Sequence, residues 1–475
     1  MKNSILKNLL IVTFVILSAV LCFGGGYLVA NYTQSSEDTT SVSSKFSTLE
    51  KVYDYLVNDF YYGNDSDEYK QQLINDAIKG MVDAQGDPHT EYMTSDELAS
   101  FTGSLESSFV GIGVTYQEVD GKIFIASVIR SSPAEAAGVI AGDIITAIDG
   151  TEVTEDNIDD MVNVIKGEKG TVVTVTILRG SESFDLDITR DTVSNTVFSE
   201  VSSDGVGILS ITSFSDGTGE ELENHLKYLQ ENNVTKLIID LRDNTGGYAS
   251  TLDTISSYFM EIGDIIMREF DRDGNEYVDY ATDCTKYHYD KIIILTNDYS
   301  ASCSEVFTLA MKENCGAITV GETTYGKGVA QVTKMFRDGS ALKYTDLIWK
   351  SGNNVFVGGT GIEPDYPVRL HEALYLSHLV LEDDEQYSYD SVSTYVANMQ
   401  TMLDFLGYDV DRTDGYFSAM TSEALKSFQS NEGLEVDGIL DNDVASALNS
   451  AVVRYWTTDR DALDTQMQKA LELMK

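Results

Sequence analysis

The sequence predicts a multidomain protein built around an α/β domain, with helical segments on both sides of it. Three observations lead there. Leu237-Ile238-Ile239-Asp240-Leu241 and Ile292 to Leu295 are short, almost unbroken apolar runs. Strands of that kind belong to a sheet covered on both faces, and each here leads into a turn and then a helix-like run. Apolar residues recur at helical spacing ahead of it, at Phe46, Leu49, Val52, Tyr53 and Leu56 and again at Leu73, Ala77, Ile78 and Met81, and a final helix is read from about Arg460 to Met474. The chain has 475 residues, enough for about three domains.

Composition narrows the class. Lys and Arg total 32 against 77 Asp and Glu, a net charge of −45. Nucleic-acid partners need basic patches, so that class is excluded. A hydrophobic content of 42% supports filled cores, and 4 prolines leave no Pro-rich linker. The cysteines, Cys22, Cys284, Cys303 and Cys315, form neither a disulfide framework nor a CxxC metal spacing, though a Cys284–Cys315 bridge is conceivable. No HExxH zinc motif is present, and no cofactor or metal is expected.

Taken in order, residues 1–30 read as a membrane anchor. Lys2 and Lys7 precede an apolar run from Leu9 to Ala30, long enough to span a bilayer. Glu37 and Asp38 follow it, which places the body outside the cytoplasm, on the cell-wall side. The alternative is a cleaved signal peptide and a secreted protein. Residues 31–44 are Ser/Thr-rich and read as a linker. Residues 45–104 form a helical arm, with a second stripe at Leu73, Ala77, Ile78 and Met81.

In residues 105–190, Phe109-Val110-Gly111-Ile112-Gly113 is a glycine-rich loop ahead of an alternating strand. Consecutive loop N–H groups can hold a terminal carboxylate, and the strand edge beyond can accept a peptide as an added strand. The plainer reading is a glycine turn with no ligand.

Residues 191–375 hold the α/β domain. Val206 to Ile211 is strand-like and a helix follows from about Gly219 to Asn232. Leu237 to Leu241 runs into Arg242-Asp243-Asn244-Thr245-Gly246-Gly247, and Ile292 to Leu295 feeds Ser300-Ala301-Ser302-Cys303-Ser304-Glu305. A helix-like run, Val306 to Asn314, is stopped by Gly316. A strand from Ala317 to Val320 then leads to the turn Tyr325-Gly326-Lys327-Gly328. A serine at a helix start beside a lysine between glycines offers nucleophilic catalysis. The hydroxyl needs a base, and a lysine serves only if burial lowers its pKa from about 10.4 to roughly 7–8, about 4 kcal/mol. The helix N-terminus adds N–H groups for an oxyanion. The plainer readings are that Ser302 and Glu305 form a capping box, that Lys327 is a surface lysine, and that Gly246-Gly247 is an ordinary strand-to-helix turn.

Residues 376–390 are acidic and read as a linker; a helix follows from Asp443 to about Arg454, and 453–475 hold a final helix from about Arg460 to Met474. That helix packs on the α/β domain or on a second subunit.

Together the motifs resemble the C-terminal processing peptidases, the tail-specific Ser–Lys proteases of family S41. The pattern S-A-S-x-S-E is met at Ser300 to Glu305, and G-E-x-T-x-G-K-G-x-x-Q at Gly321 to Gln331. The resemblance implies Ser302 as nucleophile, Lys327 as base and Gln331 as the residue orienting the lysine. It implies an oxyanion hole from the Cys303 N–H and a glycine N–H, Gly247 in preference to Gly246. Cys303 stands where the family has alanine, which brings oxidation of the thiol into play, and Thr245 replaces a proline. Gly80-Met81 with Asp87-Pro88-His89-Thr90, and Gly358-Gly359-Thr360-Gly361-Ile362-Glu363-Pro364-Asp365, also fit the family. Ser132-Pro133-Ala134 to Val139, Gly142-Asp143-Ile144 and Ile148-Asp149-Gly150 resemble a PDZ domain, with Phe109, Val110, Gly111, Ile112 and Gly113 as the carboxylate-binding loop. Residues 391–452 resemble a peptidoglycan-binding domain, and the central sheet is implied to be crotonase/ClpP-like.

The resemblance thus implies a membrane-anchored extracytoplasmic serine endopeptidase that recognises substrate C-termini through its PDZ domain. Peptidoglycan and a second subunit, paired through the arm, are further implied partners. Two alternatives stand beside it: a catalytically silent PDZ/cell-wall-binding adaptor, and a Ser–His–Asp hydrolase using His89, His225, His288, His371 or His378. One geometric condition follows. Four strand residues span about 13 Å, so Lys327 and Gln331 meet only if the chain bends near Gly328, as at a bulge.

Overall fold

The computed structural model describes residues 39–475, except 105–107, 120, 130–131, 155–156, 181, 195 and 383–384. The anchor reading, residues 1–30, lies outside these. Among the described residues no helix is long and apolar enough to cross a membrane. The chain divides into two compact units between Tyr92 and Met93.

The first unit contains two helices, α1 (Thr39–Asn58) and α2 (Asp67–Asp83). The α1 helix begins inside the Ser/Thr-rich stretch read as linker. Ser and Thr cost only about 0.5 kcal/mol each in a helix, so a helix carried by Phe46, Leu49 and Val52 extends through them. Those three side chains are about half exposed. Ser66 caps α2 by accepting the Tyr69 N–H at 3.2 Å. Asp87 accepts the His89 N–H and the Thr90 hydroxyl, so His89 sits in a carboxylate-tied turn.

After a short helix at Ser95–Ser104, the second unit continues with the PDZ-like region: β1 (Ser108–Gly111), β2 (Val114–Val119), β3 (Lys122–Val128), α3 (Pro133–Ala137), β4 (Ile144–Ile148), α4 (Ile158–Ile165), β5 (Val172–Arg179), β6 (Glu182–Thr189) and β7 (Asp191–Ser194). The antiparallel order is β2-β3-β4-β5-β6, so β2 is an edge strand; β1 pairs separately with β7. Ile123, Ile125, Ile145, Val173, Val175 and Ile177 alternate inward to fill its core.

The α/β domain has β8 (Val197–Val201), β9 (Gly207–Ile211), α5 (Thr218–Glu231), β10 (Lys236–Asp240), α6 (Ala249–Ser257), β11 (Ile265–Asp271), β12 (Glu276–Tyr280), β13 (Lys291–Thr296), α7 (Cys303–Cys315), β14 (Ile318–Gly321), β15 (Val329–Met335), β16 (Ala341–Lys350) and β17 (Tyr366–Pro367). The main sheet runs β8-β9-β10-β13-β14-β17, parallel from β9 onward. A second antiparallel sheet joins β11, β12, β15 and β16.

As the apolar runs predict, the main sheet is covered on both faces. Leu209, Leu237, Ile239, Ile292 and Ile294 point to α5, α6 and α7. Ile208, Ile238, Ile293, Leu295 and Val320 point the other way and meet Ala470 and Met474 of the chain's last helix, α11 (Thr465–Met474). The final helix therefore returns to the α/β domain. It starts at Thr465 rather than Arg460, because Asp464 breaks it and accepts the Met467 N–H as N-cap.

Between β17 and α11 lies a helical domain of α8 (Thr394–Phe405), α9 (Ala419–Glu432) and α10 (Asn442–Thr458). Leu379 and Leu381, in the segment read as linker, are buried in its core, and their N–H groups bond to Asn449 and Asn442. The acidic composition of 376–390 hides those two anchoring leucines. Gln400 and Gln429 are buried, and their carbonyl oxygens accept the N–H groups of Gly415 and Gly438, clamping two similar turns.

Candidate active site

Parallel strands deliver their loops to one end of a sheet, where sites form. Here the loops after β10, β13 and β14 converge. Asn244, fully buried, ties the first two together. Its side-chain amide donates to Ile211 O at 2.7 Å, and its backbone carbonyl accepts the Ala301 N–H at 3.0 Å and the Ser304 hydroxyl at 2.8 Å. Ser300 Oγ donates to Leu241 O at 2.8 Å. Asn297 accepts the Asp243 N–H at 2.9 Å and donates to its carboxylate at 2.7 Å.

These anchors hold Ser302 at φ 55°, ψ −117°, a conformation that L-residues rarely adopt. Such strain costs of order 1–3 kcal/mol and persists only where the surroundings over-determine it. The turn sets Ser302 immediately before α7, partly exposed, while Ala301 and Cys303 on either side are buried.

The expected capping box of Ser302 and Glu305 is present. Glu305 does accept the Ser302 N–H, Oε2 at 2.9 Å. The Ser302 carbonyl also accepts the Glu305 N–H at 2.9 Å. Glu305 itself is completely buried. Its Oε2 also accepts the Lys327 N–H at 2.8 Å, and its Oε1 accepts the Gly326 N–H at 2.7 Å and the Thr324 hydroxyl at 2.6 Å. One carboxylate oxygen therefore holds the backbones of Ser302 and Lys327 together. Sequence reading missed Glu305 as a site residue, although its S-x-x-E spacing was the available signal; it likewise missed Asn244.

Lys327 is partly buried, and its carbonyl accepts the Trp349 indole N–H at 2.8 Å. The turn packs backbone to backbone on the closing segment. A Cβ on Gly326, at φ 86°, would lie 2.8 Å from Gly361 N, so only glycine fits. Gln331 donates to Thr345 Oγ1 at 3.2 Å. The expected irregularity falls between Ala330 and Gln331, where Asp346 is the extra residue on β16, rather than at Gly328.

The glycine loop lies against the Ser302 turn. A Cβ on Gly246 would stand 2.9 Å from Ser302 Cβ and 3.0 Å from Cys303 N. The Gly246 N–H is taken by Asn244 Oδ1 at 2.9 Å. The N–H groups of Gly247 and Cys303 make no hydrogen bond among the described residues. Burial pushes the Cys303 thiol up to about 11, against the opposing pull of the Gly247 carbonyl region, Ser302 and the Lys327 charge. A thiol held protonated is a poor target for oxidation, so the expected sensitivity is not favoured. Cys284, Cys303 and Cys315 are all free, with no Cys284–Cys315 bridge.

Beside the site, α6, β11, β12 and β16 bring four carboxylates together. Burial, then Asp279, raises Asp253 to about 6. Burial, then Asp279, Asp253 and Asp346, raises Glu269 to about 7. Two histidines of the second unit have other partners: His225 Nδ1 lies 2.7 Å from Ser199 Oγ and His371 Nε2 3.3 Å from Asp404 Oδ2.

Part of the stretch read as a glycine-rich loop is strand. Phe109, Val110 and Gly111 belong to β1 and pair with Val193, Thr192 and Asp191. The partner strand is distant in sequence, so local reading saw only a glycine-rich loop. Ile112 and Gly113 remain outside the strands, their carbonyls accepting the N–H groups of Ala134 and Ile129 at 2.8 and 3.0 Å. A cleft of about 840 Å³ is lined by Thr115 and Gln117 of β2, Asp243, Tyr299 and Trp456 of α10, among others.

Comparison with known proteins gives four domain matches. Residues 205–368 match peptidase family S41, 124–179 a PDZ domain, 393–448 a putative peptidoglycan binding domain, and 23–97 the N-terminal domain of the activating protease CtpB. The chain is 34% identical over 471 residues to the carboxy-terminal processing protease CtpA of Bacillus subtilis, covering 98% of this chain and 97% of that one. It is 33% identical over 432 residues to a probable CtpA-like serine protease of Staphylococcus haemolyticus, covering 91% and 86%. A Staphylococcus epidermidis counterpart is 33% identical over 434 residues, covering 91% and 87%.

Proposed function

The chain belongs to the carboxy-terminal processing proteases of peptidase family S41, serine-type peptidases, and from that premise we propose that Ser302 is its nucleophile and Lys327 its base. The observation that carries this is the Glu305 Oε2 bridge to both backbones, at 2.9 and 2.8 Å. In the reaction, neutral Lys327 takes the Ser302 hydroxyl proton as Oγ bonds to the substrate carbonyl carbon. The oxyanion is received by the N–H groups of Cys303 and Gly247; the commitment of the Gly246 N–H to Asn244 favours Gly247. Lys327 returns the proton to the departing amine, and water then releases the acyl group by the same route. Gln331, tied to Thr345, steadies the lysine.

Substrate C-termini add to the edge of β2, with Ile112 and Gly113 nearest the carboxylate, and the chain continues toward Ser302. The body is extracytoplasmic and held by the apolar run from Leu9 to Ala30. The helical domain engages peptidoglycan. The half-exposed stripe of Phe46, Leu49 and Val52 pairs two copies.

The test is cleavage of an unstructured protein with a free apolar C-terminus by wild type, Ser302→Ala and Lys327→Ala. Activity lost in both variants is expected. An active Lys327→Ala would remove the lysine as base. A silent wild type, even with a C-terminal peptide added to occupy the PDZ domain, would favour an adaptor.

A further inference from the structure

The loop that carries Gly246 and Gly247 begins at Arg242, and Arg242 is gripped from the far end of the chain. Its guanidinium is buried and uses all five N–H donors. Nε and Nη2 fork onto the Asp240 carboxylate at 2.9 and 2.6 Å. Nη1 and Nη2 fork onto the Asp464 carboxylate at 3.0 and 2.9 Å, and Nη1 also donates to Gln466 Oε1 at 2.9 Å. Asp464 and Gln466 are themselves 2% and 0% exposed.

The same short segment closes the neck of the helical domain. Gln466 Nε2 donates to Val368 O at 2.9 Å and Thr465 Oγ1 to Arg369 O at 3.0 Å. The chain entering that domain and the chain leaving it are tied together beside Arg242. The helical domain is therefore an insertion between β17 and α11 of the peptidase domain rather than an appendage to it.

We propose that Asp464 and Gln466 are positioning residues for the peptidase reaction: they hold Arg242, and through it the loop 243–247, in register with Ser302. The inference rests on the assignment of Ser302 made above. The link is short. Asp243 follows Arg242 directly, in a left-handed conformation at φ 63°, and is clamped to Asn297 on the loop leading to Ser302. Asn244 then ties the same loop to Ala301 and Ser304. Loss of the Asp464 fork leaves a buried guanidinium with half its ionic partners, which shifts or expels it. A displacement of about 1 Å at a reacting centre costs about 100-fold in rate.

A merely structural role for α11 predicts something different, and Lys291 separates the two. Lys291 Nζ donates to Leu473 O at 2.6 Å and so anchors the opposite end of α11, away from Arg242. The experiment measures kcat, KM and melting temperature, and the rate at which a fluorophosphonate labels the serine, in the full-length wild type and in Asp464→Asn, Gln466→Met and Lys291→Met. Asp464→Asn should lower kcat and the labelling rate about 100-fold with KM little changed. Gln466→Met, which keeps the packing volume, should lower them about 10-fold, and it carries the test if Asp464→Asn does not fold. Lys291→Met should lower the melting temperature and keep kcat within about twofold. Unchanged kcat in Asp464→Asn or Gln466→Met, or an equal loss in Lys291→Met, would overturn the proposal while leaving the peptidase assignment intact. A wild type that neither cleaves nor labels would overturn that assignment and this proposal with it.

Discussion

The two faces of the main sheet are closed in different ways. On one face α5, α6 and α7 follow their own strands, and Leu222, Leu226, Leu252, Ile255 and Phe307 pack onto residues nearby in sequence. On the other face the cover is α11, the last helix of the chain, which arrives after the whole helical domain has been traversed. Its contacts are Ala470 and Met474 from the apolar side, with the Lys236 and Lys291 ammonium groups on the terminal carbonyls of Met474 and Leu473. The first face is built from local connections. The second needs a long loop to close, and its cover is the part most able to open on its own. The loops that carry Ser302 and Lys327 sit where both faces end, so the second closure bears on them.

The largest effect should come from removing α11. A chain ending at residue 463 exposes Ile208, Ile238, Ile293, Leu295 and Val320 and strips Arg242 of Asp464 and Gln466. We expect an aggregation-prone protein without peptidase activity. A wild-type melting curve for this truncation would show that the second face does not depend on its cover. Next is Glu305→Gln. An amide cannot accept four hydrogen bonds, so donors are left buried and unpaired, at about 3–5 kcal/mol in denaturant unfolding, together with a fall in kcat of about 100-fold.

Paired core truncations then compare the faces directly. Leu226→Ala and Met474→Ala remove side chains that are 0% and 2% exposed. A rigid core loses about 2–5 kcal/mol at such a site. We expect Leu226→Ala in that range and Met474→Ala below it, because the end of α11 can resettle. Equal losses would erase the distinction between the faces.

The smallest effect is a pH dependence. Glu269 has a folded pKa of about 7, raised by burial and then by neighbouring carboxylates, so the folded state binds its proton more tightly than the unfolded chain does. Stability from this group is present at low pH and is lost as pH rises from about 4.5 to 7. Glu269→Gln should flatten that slope and stabilise the protein at pH 7.5 by about 1 kcal/mol, a figure reduced for partial exposure. Denaturation midpoints at pH 5 and 7.5 would reveal it.

Much of the architecture was legible. The runs at 237–241 and 292–295 are β10 and β13 to within two residues, and Gly316 closes α7 in a left-handed conformation as anticipated. Ser302 at a helix start and Lys327 between glycines are where their motifs put them, in adjacent loops. Other readings failed for one reason. Phe109 to Gly111 looked like a loop because β7, its partner strand, is far along the chain. Residues 376–390 looked like a linker because acidic neighbours outnumber Leu379 and Leu381, whose partners are on α8 to α10. Glu305 looked like a local cap because its other three bonds come from the next loop.

By itself the sequence determined the local terms: which runs are strands, where helices begin and stop, that the sheet has two apolar faces, and which reactive side chains fall together in short motifs. These follow from periodicity, φ preferences and residue type, which act over a few positions. The tertiary structure alone decided that α11 covers the second face, that Glu305 joins the Ser302 and Lys327 loops, and that Arg242 is held by Asp464. Those choices depend on which buried charge or apolar surface finds a matching partner from a distant segment, and periodicity along the chain carries no record of that match.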